Sequence, residues 1–107
     1  MVMKIEYFAG LFDGEGSISL VKNNMRGYYY RRPSIQLSMC HKGIIYDIKR
    51  SFGGHVYRQK RKTKSGFTVW KWMCCDKKNC TLILCWLRHY LVVKRPQAEK
   101  VYKWLKK

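Results

Sequence analysis

Acidic residues are scarce in this chain. Six Asp and Glu stand against twenty-three Lys and Arg in 107 residues, a formal net charge of +17. Long apolar runs are absent, which excludes a membrane-spanning helix. No stretch forms an amphipathic helix with one continuous basic face, which argues against a membrane surface as the partner. There is no internal repeat, low-complexity segment or linker, so one compact domain over residues 1–107 is expected. The first residues resemble neither a signal peptide nor a transit peptide, and an intracellular setting of open compartment is expected. No pair of cysteines has the two-residue spacer of a zinc grip. Cys40, Cys74, Cys75, Cys80 and Cys85 therefore read as reduced, largely buried thiols. What remains is a surface that attracts phosphate backbones and releases their counterions. Thirteen cations and one acid, Asp47, lie between Lys22 and Trp72. That bias in sequence suggests a dedicated binding surface.

The apolar content is high at 47%, enough for a real core. Ile5 to Phe12 reads as a short helix that Gly14 and Gly16 end. Ile18 and Leu20 alternate with Ser17, Ser19 and Val21, a strand. Asn23 to Gly27 is a turn. Tyr28 to Cys40 reads as a long second strand, with Ile35, Leu37 and Met39 on one face and Ser34, Gln36 and Ser38 on the other. Pro33 has no donor for a ladder, so the strand is expected to be an edge or irregular there. One of Tyr28, Tyr29 and Tyr30 should be buried by alternation. Lys42 to Phe52 has helical spacing, stopped by Gly53-Gly54. His55 to Lys60 is a third strand, Arg61 to Gly66 a basic loop, and Phe67 to Cys75 a fourth strand. Asp76 caps a helix through Leu87, and a last helix follows Pro96. Trp70, Trp72, Trp86 and Trp104 read as core and helix-packing residues. The class is α+β, in the order αββαββαα, with helices on one face of an antiparallel sheet.

Residues 8–17, Phe-Ala-Gly-Leu-Phe-Asp-Gly-Glu-Gly-Ser, hold two of the six acids between glycines. Taken alone, Asp13 and Glu15 fit a glycine-rich turn. The whole pattern resembles the LAGLIDADG signature of homing endonucleases at Ala9, Gly10, Leu11, Asp13 and Gly16. Phe8 and Phe12 replace aliphatic residues, Gly14 replaces the alanine, and Glu15 replaces the second aspartate. The element order fits that family too, so the resemblance covers most of the chain.

The resemblance implies a saddle-shaped sheet and a homodimer of the single-motif type, with motif helices touching through Ala9, Gly10 and Asp13. Asp13 is expected to be mainly structural. Glu15, with the carbonyl of Gly14, would bind Mg²⁺ or another divalent cation such as Mn²⁺ or Ca²⁺. Lys94, before a Gln-Ala step, matches a family lysine placed to polarise the scissile phosphate or the water network. His41 stands where relatives carry a polar group near the water. The implied activity is site-specific cleavage of double-stranded DNA at a near-palindromic site. A non-cleaving regulator or an RNA-splicing maturase on the same fold is the alternative.

Strand alternation supplies the candidates for DNA contact. They are Ser19, Val21 and Asn23 on the first strand, and Arg32, Ser34, Gln36 and Ser38 on the second. On the third they are His55, Tyr57 and Gln59, with Arg58 and Lys60 nearby. Lys71 is the expected reader on the fourth. Arg61, Lys62 and Lys64 are expected to grip phosphates.

Overall fold

The computed structural model describes residues 3–62, 64 and 66–107. Helix α1 spans Ile5–Glu15 and leads directly into strand β1, Gly16–Met25. The helix runs one turn beyond Phe12, because Gly10 and Gly14 are taken into it and only Gly16 turns extended. Gly16 is required by close approach: a Cβ there would lie 2.5 Å from the Phe12 ring. Strand β2, Tyr28–Met39, pairs with β1 through a turn tighter than expected. Its two central residues, Arg26 and Gly27, have φ of 53° and 86°. Such a left-handed pair matches the twist of a two-stranded ribbon.

Helix α2 covers Lys42–Phe52, and strands β3 and β4 cover His55–Lys62 and Thr68–Cys74. Arg61 and Lys62 thus continue β3, since cross-strand pairing persists as far as Lys62 and Thr68. Helix α3, Lys77–Leu87, is capped by the Asp76 carboxylate, which accepts from the Asn79 N–H at 2.9 Å. Helix α4, Arg95–Leu105, carries its proline in the first turn, where a missing N–H costs nothing.

The strands form one antiparallel sheet in the order β1-β2-β4-β3. Strand β2 is central, yet it pairs with β4 only from Ile35 to Met39. Pro33 lies just outside that segment, where β1 is the sole neighbour, so no ladder bond is missing. The sheet's inner face meets the helices. Ile18, Ile35, Leu37, Trp72 and Cys74 pack there against Phe8, Phe12, Ile45, Ile48, Leu84, Leu87 and Val101. Phe8 is the hub: its ring lies 5.5 Å from Trp72 edge-on and 4.5 Å from Phe52 stacked. The Trp72 indole donates to the Gly53 carbonyl at 2.7 Å, so this buried ring leaves no polar atom unpaired.

Two aromatic expectations fail. Trp86 is 64% exposed, because α3 turns it away from the sheet. Tyr28, Tyr29 and Tyr30 are all exposed, since the hairpin runs past the helices and neither of its faces is covered there. Among the cysteines, Cys74 and Cys80 are buried with their sulfurs 3.6 Å apart. The hydrogen bond to Cys74, with burial, pushes the Cys80 thiol far above its ordinary value and keeps it protonated.

Candidate nucleic-acid interface and metal centre

Period-two alternation fixes which side chains share the open face of the sheet. Ile18 and Ile35 point to the core, so their neighbours point away. Cross-strand partners then form rows across that face. Ser17 stands opposite Gln36, Gln36 opposite Met73, and Met73 opposite His55. A second row runs Ser38, Lys71, Tyr57. Ser19–Ser34, Val21–Arg32 and Asn23–Tyr30 extend the face along the hairpin. A groove of about 440 Å³ opens on it, lined by Arg32, His55, Tyr57, Met73, Cys75 and Asp76.

Most of the expected contact residues are on this face, and the structure corrects three details. Ser34 is on it but only 2% exposed, and its hydroxyl accepts from the Gln36 amide at 3.1 Å. It serves to orient Gln36 and offers almost no surface of its own. Arg58 pairs with Trp70, whose other neighbour is Met39, so the register sets it on the helix side of the sheet. The register of β3 then shifts between Arg58 and Lys62, so simple alternation from His55 ends near Gln59. The side chains of Lys60, Arg61 and Lys62 lie outside the described residues. Lys64 is exposed in the turn that follows. Sequence reading missed Met73 and Tyr30. Burial of its neighbour Trp72 sets Met73 on the open side.

The motif helix separates its two acids. Asp13 is half-buried and accepts two backbone N–H bonds, from Val92 at 2.8 Å and Lys94 at 3.0 Å. Both oxygens are thereby engaged within the chain, and Asp13 ties the end of α1 to the segment that opens α4. Ala9 also turns inward, 2% exposed in the chain's own core. The outward ridge is Tyr7, Gly10, Leu11 and Gly14, spaced as one helix face. Neither Gly10 nor Gly14 meets anything within 4 Å of an added Cβ.

Glu15 is exposed at the last turn of α1, where no basic residue stands. Among the described residues its carboxylate has no hydrogen bond or ion pair. The other acids are placed differently. Asp47 pairs with Arg50, Glu99 with Arg88, and Asp76 caps α3, while Glu6 sits in the favourable first turn of α1. A carboxylate at the negative end of a helix is destabilising by about 0.3–1 kcal/mol. That cost falls away if a cation binds. Glu15 and the carbonyls of the last turn are hard oxygen donors, suited to Mg²⁺ or Ca²⁺, though that of Phe12 already accepts from the Gly16 N–H. No group of three His, Cys, Asp or Glu is set to hold a metal among the described residues.

Lys94 caps α4 and is half-buried, with its backbone held by Asp13 two residues before Glu15. Gly16 pairs with Leu37, so Glu15 adjoins the Leu37–Ser38 end of β2. His41 lies three residues further on and is committed to α2. Its Nδ1 accepts from the Ile44 N–H at 3.1 Å and caps the helix, which leaves Nε2 of this exposed side chain as the ring nitrogen able to meet another group.

A family model described as LAGLIDADG endonuclease matches residues 8–106. The fold is similar to that of the homing endonuclease I-CvuI, solved with the I-CreI target in 2 mM Mg and the DNA not cleaved. That match has a TM-score of 0.80 and 27% identity over 96% of this chain and 66% of I-CvuI. The archaeal intron-encoded I-Vdi141I, solved with DNA, has a TM-score of 0.78 and 15% identity over 95% of this chain and 66% of its own. I-TnaI has a TM-score of 0.73 and 21% identity over 99% and 74%. The last two likenesses concern the fold alone. The chain spans under two thirds of I-CvuI and I-Vdi141I. No curated protein matches by sequence. No helix among the described residues is long and apolar enough to cross a membrane.

Proposed function

This chain belongs to the LAGLIDADG endonuclease family, and on that premise we propose that it is a site-specific, divalent-metal-dependent DNA endonuclease that works as a homodimer. The observation that carries the reading is Glu15. It is an exposed carboxylate at the unfavourable end of a helix, with no ion pair among the described residues, in a chain of net charge +17. Retention of that carboxylate favours a cutting enzyme over a binding module that has lost its chemistry.

Two copies of α1 would pack through Tyr7, Gly10, Leu11 and Gly14. Each helix glycine costs about 1 kcal/mol relative to alanine. Space inside the chain requires neither Gly10 nor Gly14, and close approach of a second helix supplies a reason for both. The same contact brings two Glu15 carboxylates together. Glu15 and the Gly14 carbonyl would hold Mg²⁺, which supplies charge relief at the phosphate and an activated water when bound. Lys94 would set its ammonium against the scissile phosphate, with Asp13 fixing the backbone that carries it. The open face would lie along the duplex. Ser19, Asn23, Gln36, His55 and Lys71 would reach base edges, and Arg32 and Lys64 would reach phosphates.

Selection of cleaved sites from a randomised duplex library with Mg²⁺ tests this directly. Recovery of a near-palindromic site with defined ends supports it. Glu15→Gln is expected to abolish cutting while leaving duplex affinity and sedimentation unchanged. Cutting retained by that variant would remove the metal role.

A further inference from the structure

The reverse side of the β1–β2 hairpin carries a pocket that the open face does not use. Alternation places Ile18, Leu20 and Lys22 of β1 on the helix side, with Ile35, Pro33 and Arg31 opposite them on β2. Helix α4 covers this face only as far as Val101 and adds Gln97 and Lys100 at the boundary. The result is a concavity of about 380 Å³, within the range of small-ligand sites. Ile18, Leu20 and Val101 form an aliphatic floor, and Lys22, Arg31 and Lys100 form a cationic rim.

Lys22 and Arg31 are direct cross-strand partners. Like charges so placed are destabilising, and α4 brings a third. No acid lines the pocket. Glu99, beside Lys100 in sequence, is turned to Arg88. One register step further along the hairpin, on the same face, Tyr29 is 76% exposed opposite Asn24. A cationic rim, an apolar floor of nucleotide size and a bare aromatic ring match the requirements of an unstacked nucleotide. A duplex presents its phosphates on a convex surface and keeps its bases stacked, so it matches neither the concavity nor the tyrosine.

We propose that this reverse-face pocket binds single-stranded nucleic acid, with a phosphodiester in the Lys22–Arg31–Lys100 rim and a base on Tyr29. The pocket lies across the sheet from the open face and shares only Ser19 with it, and neither its cationic rim nor Tyr29 enters the endonuclease reading.

Fluorescein-labelled (dT)15 and U15 are titrated with the full chain over a range of salt, and a 24-base-pair duplex of arbitrary sequence is titrated in parallel. The double variant Arg31→Gln/Lys100→Gln is expected to weaken both oligonucleotides at least about tenfold. Its salt slope should fall by about 1.4, the effect of two lost phosphate contacts on a single strand. Duplex affinity should change less than about twofold once the lost general charge is allowed for with Lys106→Gln/Lys107→Gln. Tyr29→Ala should weaken the oligonucleotides about tenfold again. Lys22→Gln gives the same reading if the double variant fails to fold. The difference between (dT)15 and U15 separates a DNA from an RNA preference. Unchanged oligonucleotide binding in the pocket variants would overturn the proposal. So would an equal loss for duplex and oligonucleotide, which marks a general phosphate grip. Failure of the endonuclease reading shows elsewhere: Arg32→Gln/Lys71→Gln would then leave duplex affinity unchanged.

Discussion

Replacing Asp13 separates a carboxylate that holds the frame from one that acts in it. Its two oxygens accept from different backbone donors, Val92 at 2.8 Å and Lys94 at 3.0 Å. A hydrogen bond to a charged acceptor contributes about 1.5–3 kcal/mol. The Val92 donor is exposed and water replaces most of what is lost there, whereas the Lys94 donor is partly buried. The two together therefore come to about 2 kcal/mol for Asp13→Ala. Asp13→Asn is nearly isosteric, yet it sets an NH₂ against one of the two N–H donors. It should cost about as much as alanine, which is the sharper test. Urea unfolding at fixed protein concentration reads the effect, because a dimer makes stability concentration-dependent. With a slope of about 1–2 kcal/mol per molar urea, the midpoint should fall by about 1–2 M at unchanged slope. Cleavage should fall as well, since the backbone of Lys94 loses its anchor. An Asp13→Asn protein that matches wild type within about 0.3 kcal/mol would refute the two-acceptor reasoning.

The motif glycines should respond in opposite ways. Gly16→Ala drives a Cβ into the Phe12 ring and should destabilise by about 1–3 kcal/mol, read by thermal melting. Gly10→Ala meets only open space within the chain and should favour the helix by about 1 kcal/mol. It should weaken self-association at the same time, and an unchanged sedimentation profile would count against that contact. Asp76 gives a pH signature. The Asn79 backbone N–H holds its carboxyl below the ordinary 3.8. Its folded value is depressed, so the stabilisation is fully present above 3.8 and is lost as pH falls through the folded value. Asp76→Ala should therefore cost about 1 kcal/mol at neutral pH. The gap to wild type should narrow towards pH 2, whereas a constant gap would mean that the cap acts through something other than charge.

Local signals in the chain were enough for the element order and for the alternation of β1 and β2. The cap at Asp76 and the stop at Gly53-Gly54 are short-range effects, visible within a few residues. What was illegible depends on distance or on coverage. The bonds of Asp13 reach residues 79 and 81 positions away, and no local pattern foretells them. The side taken by Arg58 depends on its pairing with Trp70, and a bulge follows it. Ala9 and Gly10 are adjacent small residues with opposite fates, because a helix turns successive side chains about 100° apart. The family motif marks both without saying which one faces out. Ser34 lies on the open face as alternation requires, but its neighbours close over it, and burial of that kind is a tertiary fact.

The hairpin has a further consequence. From Met25 back to Val21, and from Tyr28 to Arg32, its strands pair only with each other. Few apolar side chains are covered there, so this ribbon should be among the first regions to exchange its amide hydrogens, with opening free energies well below the global value. The core is largely indifferent to what those positions carry. Val21, Asn23, Tyr30 and Arg32 are thus free to vary at little cost in folding, while the helices and inner strands stay fixed. A chain built this way can drift towards new partners one substitution at a time, and selection for altered recognition has its cheapest route through this ribbon.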